Sequence, residues 1–235
     1  MVRRDLLTLI VAMPIHPLES ECLKDFASPT VWAYIQKAYS EPHRSYHTLA
    51  HLQAMFGHYA DVAPQLAYPR AVRWAIWFHD YVYHTEADRY PLNETLSASA
   101  LTGVLQQSCP ILLTQTENGL PCLALASAMI LATKRHHPDM GGFNNHPEAC
   151  ADCGVLLDLD LAILAQPHEQ VLAFDAGVRA EFAQYAEAEF AAGRIEALQG
   201  FLGRQRIYLS PAFALREPAA RNNLVMLISR WQQPG

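Results

Sequence analysis

The sequence predicts an all-α protein. Apolar residues recur at three- and four-residue spacing along most of its length, alternating Val, Ile or Thr runs that would mark strands are missing, and prolines stand at the heads of apolar segments. Residues 46–62 place Leu49, Leu52, Met55, Phe56 and Tyr59 on one stripe, which predicts a helix with His47 and His51, four apart, on a shared face. Residues 70–83 form a second predicted helix, apolar nearly all round through Trp74, Ile76, Trp77 and Phe78, as a central element should be. Pro91 introduces a helix carrying Asn93 to Ala98, and Pro121 precedes another over 123–133. Residues 138–145, rich in Pro, Gly and Asn, read as a loop. A short helix over 156–164, a long Ala-rich one over 169–192 and a last one over 211–231 complete the series, with no sheet of consequence.

The apolar run Ala75-Ile76-Trp77-Phe78 closes on His79-Asp80. A buried carboxylate beside an imidazole needs a compensating cation. His51 stands upstream in Tyr46-His47-Thr48-Leu49-Ala50-His51, and Asp160 downstream in Leu157-Asp158-Leu159-Asp160-Leu161, giving the order H, HD, D. Imidazoles and carboxylates on different helices suit Mn, Fe, Zn, Ni or Co, and such a set leaves coordination positions open.

Composition narrows the classes. With 235 residues, 51% hydrophobic and 17% charged, and no Gly/Ser linker, one domain over 1–235 is expected. A net charge of −6 argues against nucleic acid as a partner, because Lys and Arg supply most of such affinity. No apolar stretch reaches the ~20 residues needed to span a bilayer. The segment 2–15 has the outline of a signal peptide, but Asp5 and the lack of a small-x-small cleavage site oppose that reading, so the chain is expected in the cytoplasm. Five cysteines, an odd number, fit a reducing compartment; Cys150 and Cys153 form one C-x-x-C without a matching second pair and read as part of a helix start.

The H, HD, D order resembles the HD superfamily of metal-dependent phosphohydrolases. Tyr46 to His51 is similar to the YHNxxH of cyclic-nucleotide phosphodiesterases, although the later His of those enzymes is replaced here by Tyr83, with His84 one position late. A closer resemblance is to a bacterial group with the patterns RxYHxxxH (Arg44 to His51), FHDxVY (Phe78 to Tyr83), NExxS (Asn93 to Ser97), Thr-x-x-His (Thr133 to His136), DxDL (Asp158 to Leu161) and ARxNL (Ala220 to Leu224), together covering about residues 30–230. The resemblance implies an HD-type helical bundle whose metal ligands are His51, His79, Asp80 and Asp160, holding one or two divalent ions (Mn, Ni, Zn, Fe, Co or Mg). It implies hydrolysis of a small phosphomonoester or phosphodiester, with a nucleotide among the candidates. By the same analogy His47 donates a proton to the leaving oxygen, or else joins or orients the metal ligands.

Arg44 has the fork that grips phosphate, with an ion pair to Glu41 as its alternative. Glu94 is a candidate for holding water or a ligand His, against helix capping. His136 and His137 are candidates to support the ion or bind a second one. Asp158, two before Asp160, must point elsewhere on a helix. Arg194, Arg206, Arg221 and Asn222 are expected in structural ion pairs. A di-iron oxygenase on the same scaffold, or a binding module with a vestigial metal site, are the alternative functions.

Overall fold

The computed structural model describes residues 16–138, 142–143 and 145–233. The segment 2–15, and residues 139–141 and 144 of the expected loop, lie outside the described residues. Among the described residues the chain forms ten α-helices: α1 (Pro17–Phe26), α2 (Pro29–Ala38), α3 (Leu49–Val62), α4 (Pro69–Phe78), α5 (Asn93–Ser108), α6 (Cys122–Thr133), α7 (Pro147–Asp160), α8 (His168–Glu181), α9 (Glu187–Leu202) and α10 (Glu217–Trp231). A short hairpin with two-residue strands, β1 (Thr116–Glu117) and β2 (Leu120–Pro121), is the one sheet among the described residues, so the all-α class holds. No described helix is long and apolar enough to cross a membrane.

Helix α4 is the hub, packed against α3, α5, α6 and α7. Trp74, Ala75, Ile76, Trp77 and Phe78 are fully buried. Full burial of a large apolar side chain is worth roughly 1.5–3 kcal/mol, so α4 is pinned hard, and with it the His79-Asp80 pair at its end. The small hairpin sets the other end. Asn118 and Gly119, both at positive φ, make the tight turn that an Asn-Gly pair favours, and Glu117 then accepts from Arg70 N and Ala71 N at 3.0 Å each, capping the first turn of α4.

The expected helix over 70–83 stops at Phe78. Carbonyls around that point are taken by side chains from elsewhere: Tyr39 Oη donates to Trp77 O, and Arg44 donates to Asp80 O and Tyr81 O. Ser97 Oγ accepts from Val82 N, while Asn93 both accepts from His84 N and donates to His84 O. The NExxS pattern is thus a clamp that holds the backbone after the His-Asp pair in a non-helical path.

Three other boundaries differ from expectation. Helix α3 starts at Leu49, with Thr48 as its cap, so His47 lies outside it and the shared-face argument for His47 and His51 does not apply. Helix α7 begins at Pro147, earlier than the expected 156, and the chain tightens into a 3-10 segment, Leu161–Ala165, directly after Asp160. The long helix over 169–192 is two helices, because Arg179 captures Phe182 O and Tyr185 O, and Tyr185 Oη and Gln184 Nε2 tie the joint to Thr85 O.

Candidate metal centre

Four side chains meet at the ends of three helices: His51 in the first turn of α3, His79 and Asp80 just past α4, and Asp160 at the last position of α7. His51, His79 and Asp80 each offer a ligand atom within 4.8 Å of the others. His51 Nε2 is 3.2 Å from His79 Nε2, and His79 Nε2 is 3.1 Å from Asp80 Oδ2. Asp160 Oδ1 lies 3.2 Å from His51 Nε2 and 3.7 Å from His79 Nε2. Atoms bonded to one ion at ~2.0–2.2 Å stand about 3–3.5 Å apart along the edges of its coordination shell, so His51, His79 and Asp80 are spaced for one cation, with Asp160 at the edge of the group.

The donor chemistry fits as well. His79 Nδ1 lies 2.9 Å from Ile76 O, an acceptor only, and therefore carries a hydrogen, which directs the Nε2 lone pair of the neutral ring into the cluster. Two ring nitrogens facing each other over two carboxylates need a positive charge between them. In the protein alone a proton on His79 supplies it: burial pulls that pKa down, but Asp80 and Asp160 outweigh burial and push it up to about 9. His51 goes the other way, lowered chiefly by burial. For Asp80 and Asp160 burial acts upward, yet neighbouring imidazoles hold both carboxyls below the usual range. A dication with two carboxylates and two neutral imidazoles sums to zero charge, the favourable balance for a buried site.

His47 stands beside the cluster, its Nε2 3.8 Å from Asp80 Oδ2 and its ring centroid 5.8 Å from that of His51. Glu181, at the end of α8 and invisible to sequence reasoning, fixes it. Glu181 Oε1 accepts from Ser45 N, Tyr46 N and His47 N at 2.7–2.9 Å, and Oε2 accepts from His47 Nδ1 at 2.7 Å and Tyr83 Oη at 3.0 Å. Burial works against ionisation, but these bonds prevail and bring Glu181 down to about 2. Burial likewise opposes charge on His47, and Asp80 and Glu181 overcome it, raising its pKa. Gly177 allows the approach of α8, since a Cβ there would meet Tyr46 Cβ at 3.1 Å.

Arg44 is a correction. Its side chain is fully buried, with Nε on Glu41 and the two terminal nitrogens on the carbonyls of His47, Asp80 and Tyr81. It shapes the backbone that carries His47 and Asp80 and has no fork to offer phosphate. Glu94 lies outside the ligand cluster; it lines the adjoining cavity with Oε2 unpartnered, and burial raises its pKa. His136 Nε2 is 3.0 Å from Asp160 Oδ2, with its backbone at φ +46° and its carbonyl held by Arg204 Nη1. His137 donates its backbone N–H to Ala132 O. Arg221 pairs with Glu217 and binds three carbonyls, and Asn223, rather than Asn222, fastens α10 to Leu164 O and Gln166 O. Burial pushes the Cys153 thiol up, and neither Cys150 nor Cys153 belongs to the ligand cluster.

The two aspartates of DxDL have different surroundings. Asp158 is buried and accepts from Leu209 N and Ser210 N at 2.7 Å each, and its pKa is pushed up to about 6 by burial. Asp158→Ala should therefore lower stability by about 2–4 kcal/mol, from two stranded buried donors, and leave metal content unchanged. Asp160→Ala should do the reverse. Denaturant titration beside elemental analysis distinguishes them; metal loss in the Asp158 variant with metal retained in the Asp160 variant would reverse the roles.

A cavity of about 590 Å³ opens onto His47, Asp80, His136 and Asp160, with aromatic walls that include Tyr46, Tyr83 and Phe174. No protein-family profile matches the chain, and no curated protein or solved structure is significantly similar to it.

Proposed function

We propose that the protein is a metal-dependent phosphohydrolase acting on a small phosphomonoester or phosphodiester. The observation that carries this reading is that Asp80 and Asp160 face one cavity together with a Glu181-held His47, while His51 and His79 stand directly behind the two carboxylates. The resemblance to the HD superfamily adds to it. A divalent ion bound by these four side chains would lower the pKa of a coordinated water and offset charge on phosphoryl oxygens.

The chain's own residues do the rest. Asp80 and Asp160 balance the ion's charge, and His51 and His79 present neutral nitrogen. His47 keeps its Nδ1 proton on Glu181, which orients Nε2 toward the cavity as the atom that would hand a proton to the leaving oxygen. Tyr83, bonded to Glu181, occupies the place where a further His would stand in phosphodiesterases and keeps the carboxylate on His47. A cavity of this size takes a metabolite or nucleotide, not a polymer.

The position of His136 against Asp160 Oδ2 favours a second reading, because it adds a nitrogen donor that a second ion would use, as an HD-type di-iron oxygenase requires. The experiment is a phosphatase and phosphodiesterase panel of nucleotides and sugar phosphates, run with Mn, Mg, Ni, Co and Fe, beside metal analysis and oxygen electrode traces. Metal-dependent phosphate release, abolished by chelator, is expected. Two irons per chain with substrate-dependent oxygen uptake and no phosphate release would replace the hydrolase by the oxygenase.

A further inference from the structure

Arg194, expected to be a simple structural ion pair, is only half used. Its Nε donates to Asp175 Oδ1 at 2.8 Å, while Asp175 Oδ2 accepts from Trp231 Nε1 at 2.7 Å. Arginine–carboxylate pairs are frequently bidentate; here the second oxygen is turned to the tryptophan. Nη2 is buried without a partner, a state that native proteins rarely tolerate. The guanidinium lies over Phe174, 5.0 Å from the ring centroid, so both its plane and its position are fixed.

Arg194 is among the residues lining the cavity that also contains Asp80, Asp160 and His47. Phe174 packs edge-on against Tyr46 at 4.5 Å, and Tyr46 lies 5.0 Å from His51. Two aromatic rings therefore separate Arg194 from the metal ligands. Phe182 and Phe190, in contact at 6.0 Å, line the same space. A ligand reaching both ends needs an anionic group at each and a flat apolar body between them.

We propose that Arg194 binds a second anionic group of the substrate, remote from the metal, and so selects small phosphate esters with a planar body and a carboxylate at the far end. The proposal rests on the phosphohydrolase reading only for the group at the metal end. A site already oriented by Asp175 and Phe174 gives affinity cheaply, because little ordering remains to be done on binding.

The test uses non-hydrolysable probes, so it does not require turnover. Calorimetry on Mn-loaded protein compares phenylphosphonate with its 3- and 4-carboxy derivatives. A charge-assisted bond should tighten the better carboxylated probe by about ten-fold or more, and Arg194→Gln should erase that gain. Arg194→Lys, which keeps the charge opposite Asp175 but lacks the fork, should retain only part of it and serves as the comparison if the Gln variant does not fold. Benzoate titrated into chelated protein, with helicity checked by circular dichroism, reads the Arg194 end alone: binding to wild type and not to Arg194→Gln is expected even if phosphonates fail at the metal end. Equal binding of all three phosphonates by wild type, the same carboxylate gain in Arg194→Gln, or benzoate binding alike to both proteins would each overturn the proposal.

Discussion

Asp80→Ala is expected to abolish both metal retention and hydrolysis, whereas His47→Ala should keep the metal and lose turnover by ~10²–10⁴, the usual worth of general acid catalysis. The difference follows from position. Asp80 Oδ2 sits 3.1 Å from His79 Nε2 inside the ligand cluster and carries half of the negative charge that balances a dication. Its removal leaves His79 and His51 facing each other with a single carboxylate nearby. His47 stands farther off, its Nε2 3.8 Å from Asp80 Oδ2, and its Nδ1 is committed to Glu181. Metal content by elemental analysis and turnover on the best substrate of the panel decide the matter. If His47→Ala lost its metal as completely as Asp80→Ala, His47 would have to be counted among the ligands.

Glu181→Ala should be the most destabilising single substitution at the site. Three backbone N–H groups, a tyrosine hydroxyl and an imidazole would lose one buried carboxylate at a stroke. Breaking one side of a buried charge pair costs roughly 3–5 kcal/mol, which lowers the melting temperature of a chain this size by about 10 °C. Glu181→Gln keeps an acceptor without the charge and separates the roles: His47 loses one of the influences that raise its pKa, so the alkaline limb of kcat/KM should move to lower pH. Stability has its own signature. The folded-state pKa of Glu181 is depressed, from 4.5 to about 2, so its contribution is fully present above pH 4.5 and is lost as pH falls toward 2. The stability gap between wild type and Glu181→Gln should narrow across that window. A gap constant from pH 6 to pH 2.5, with an unshifted rate profile, would remove Glu181 from any electrostatic role.

Helix identity was readable because it depends on local apolar spacing, and α4, α5 and α6 follow from their own residues. Helix ends were not, because distant side chains set them. Nothing in Phe182-Ala183-Gln184-Tyr185-Ala186 breaks a helix by itself; Arg179 and Thr85 do so by competing for its hydrogen bonds. The same reason explains Arg44 and Glu181. Three residues before a histidine, an arginine reads as a phosphate clamp, and only the folded backbone reveals that its donors are already taken. A glutamate in an Ala-rich helix carries no local sign of the three N–H groups it meets. His79 and Asp80 stood out because ionisable residues closing an apolar run are conspicuous at any range, whereas His51 and Asp160 were singled out by the resemblance to the HD order.

The clamp from Glu181 reaches back 134 to 136 residues to grip positions 45–47. Closing so long a loop costs chain entropy before any contact energy returns. Helices α3 to α6 can associate with one another while α8 is still unmade, which places His51, His79 and Asp80 near their final positions first. His47 then orders late, when the second half of the chain docks, and on local opening it is the part expected to let go first. The His51, His79 and Asp80 cluster and the His47–Glu181 pair are therefore built on different folding clocks, and loss of the second need not unmake the first.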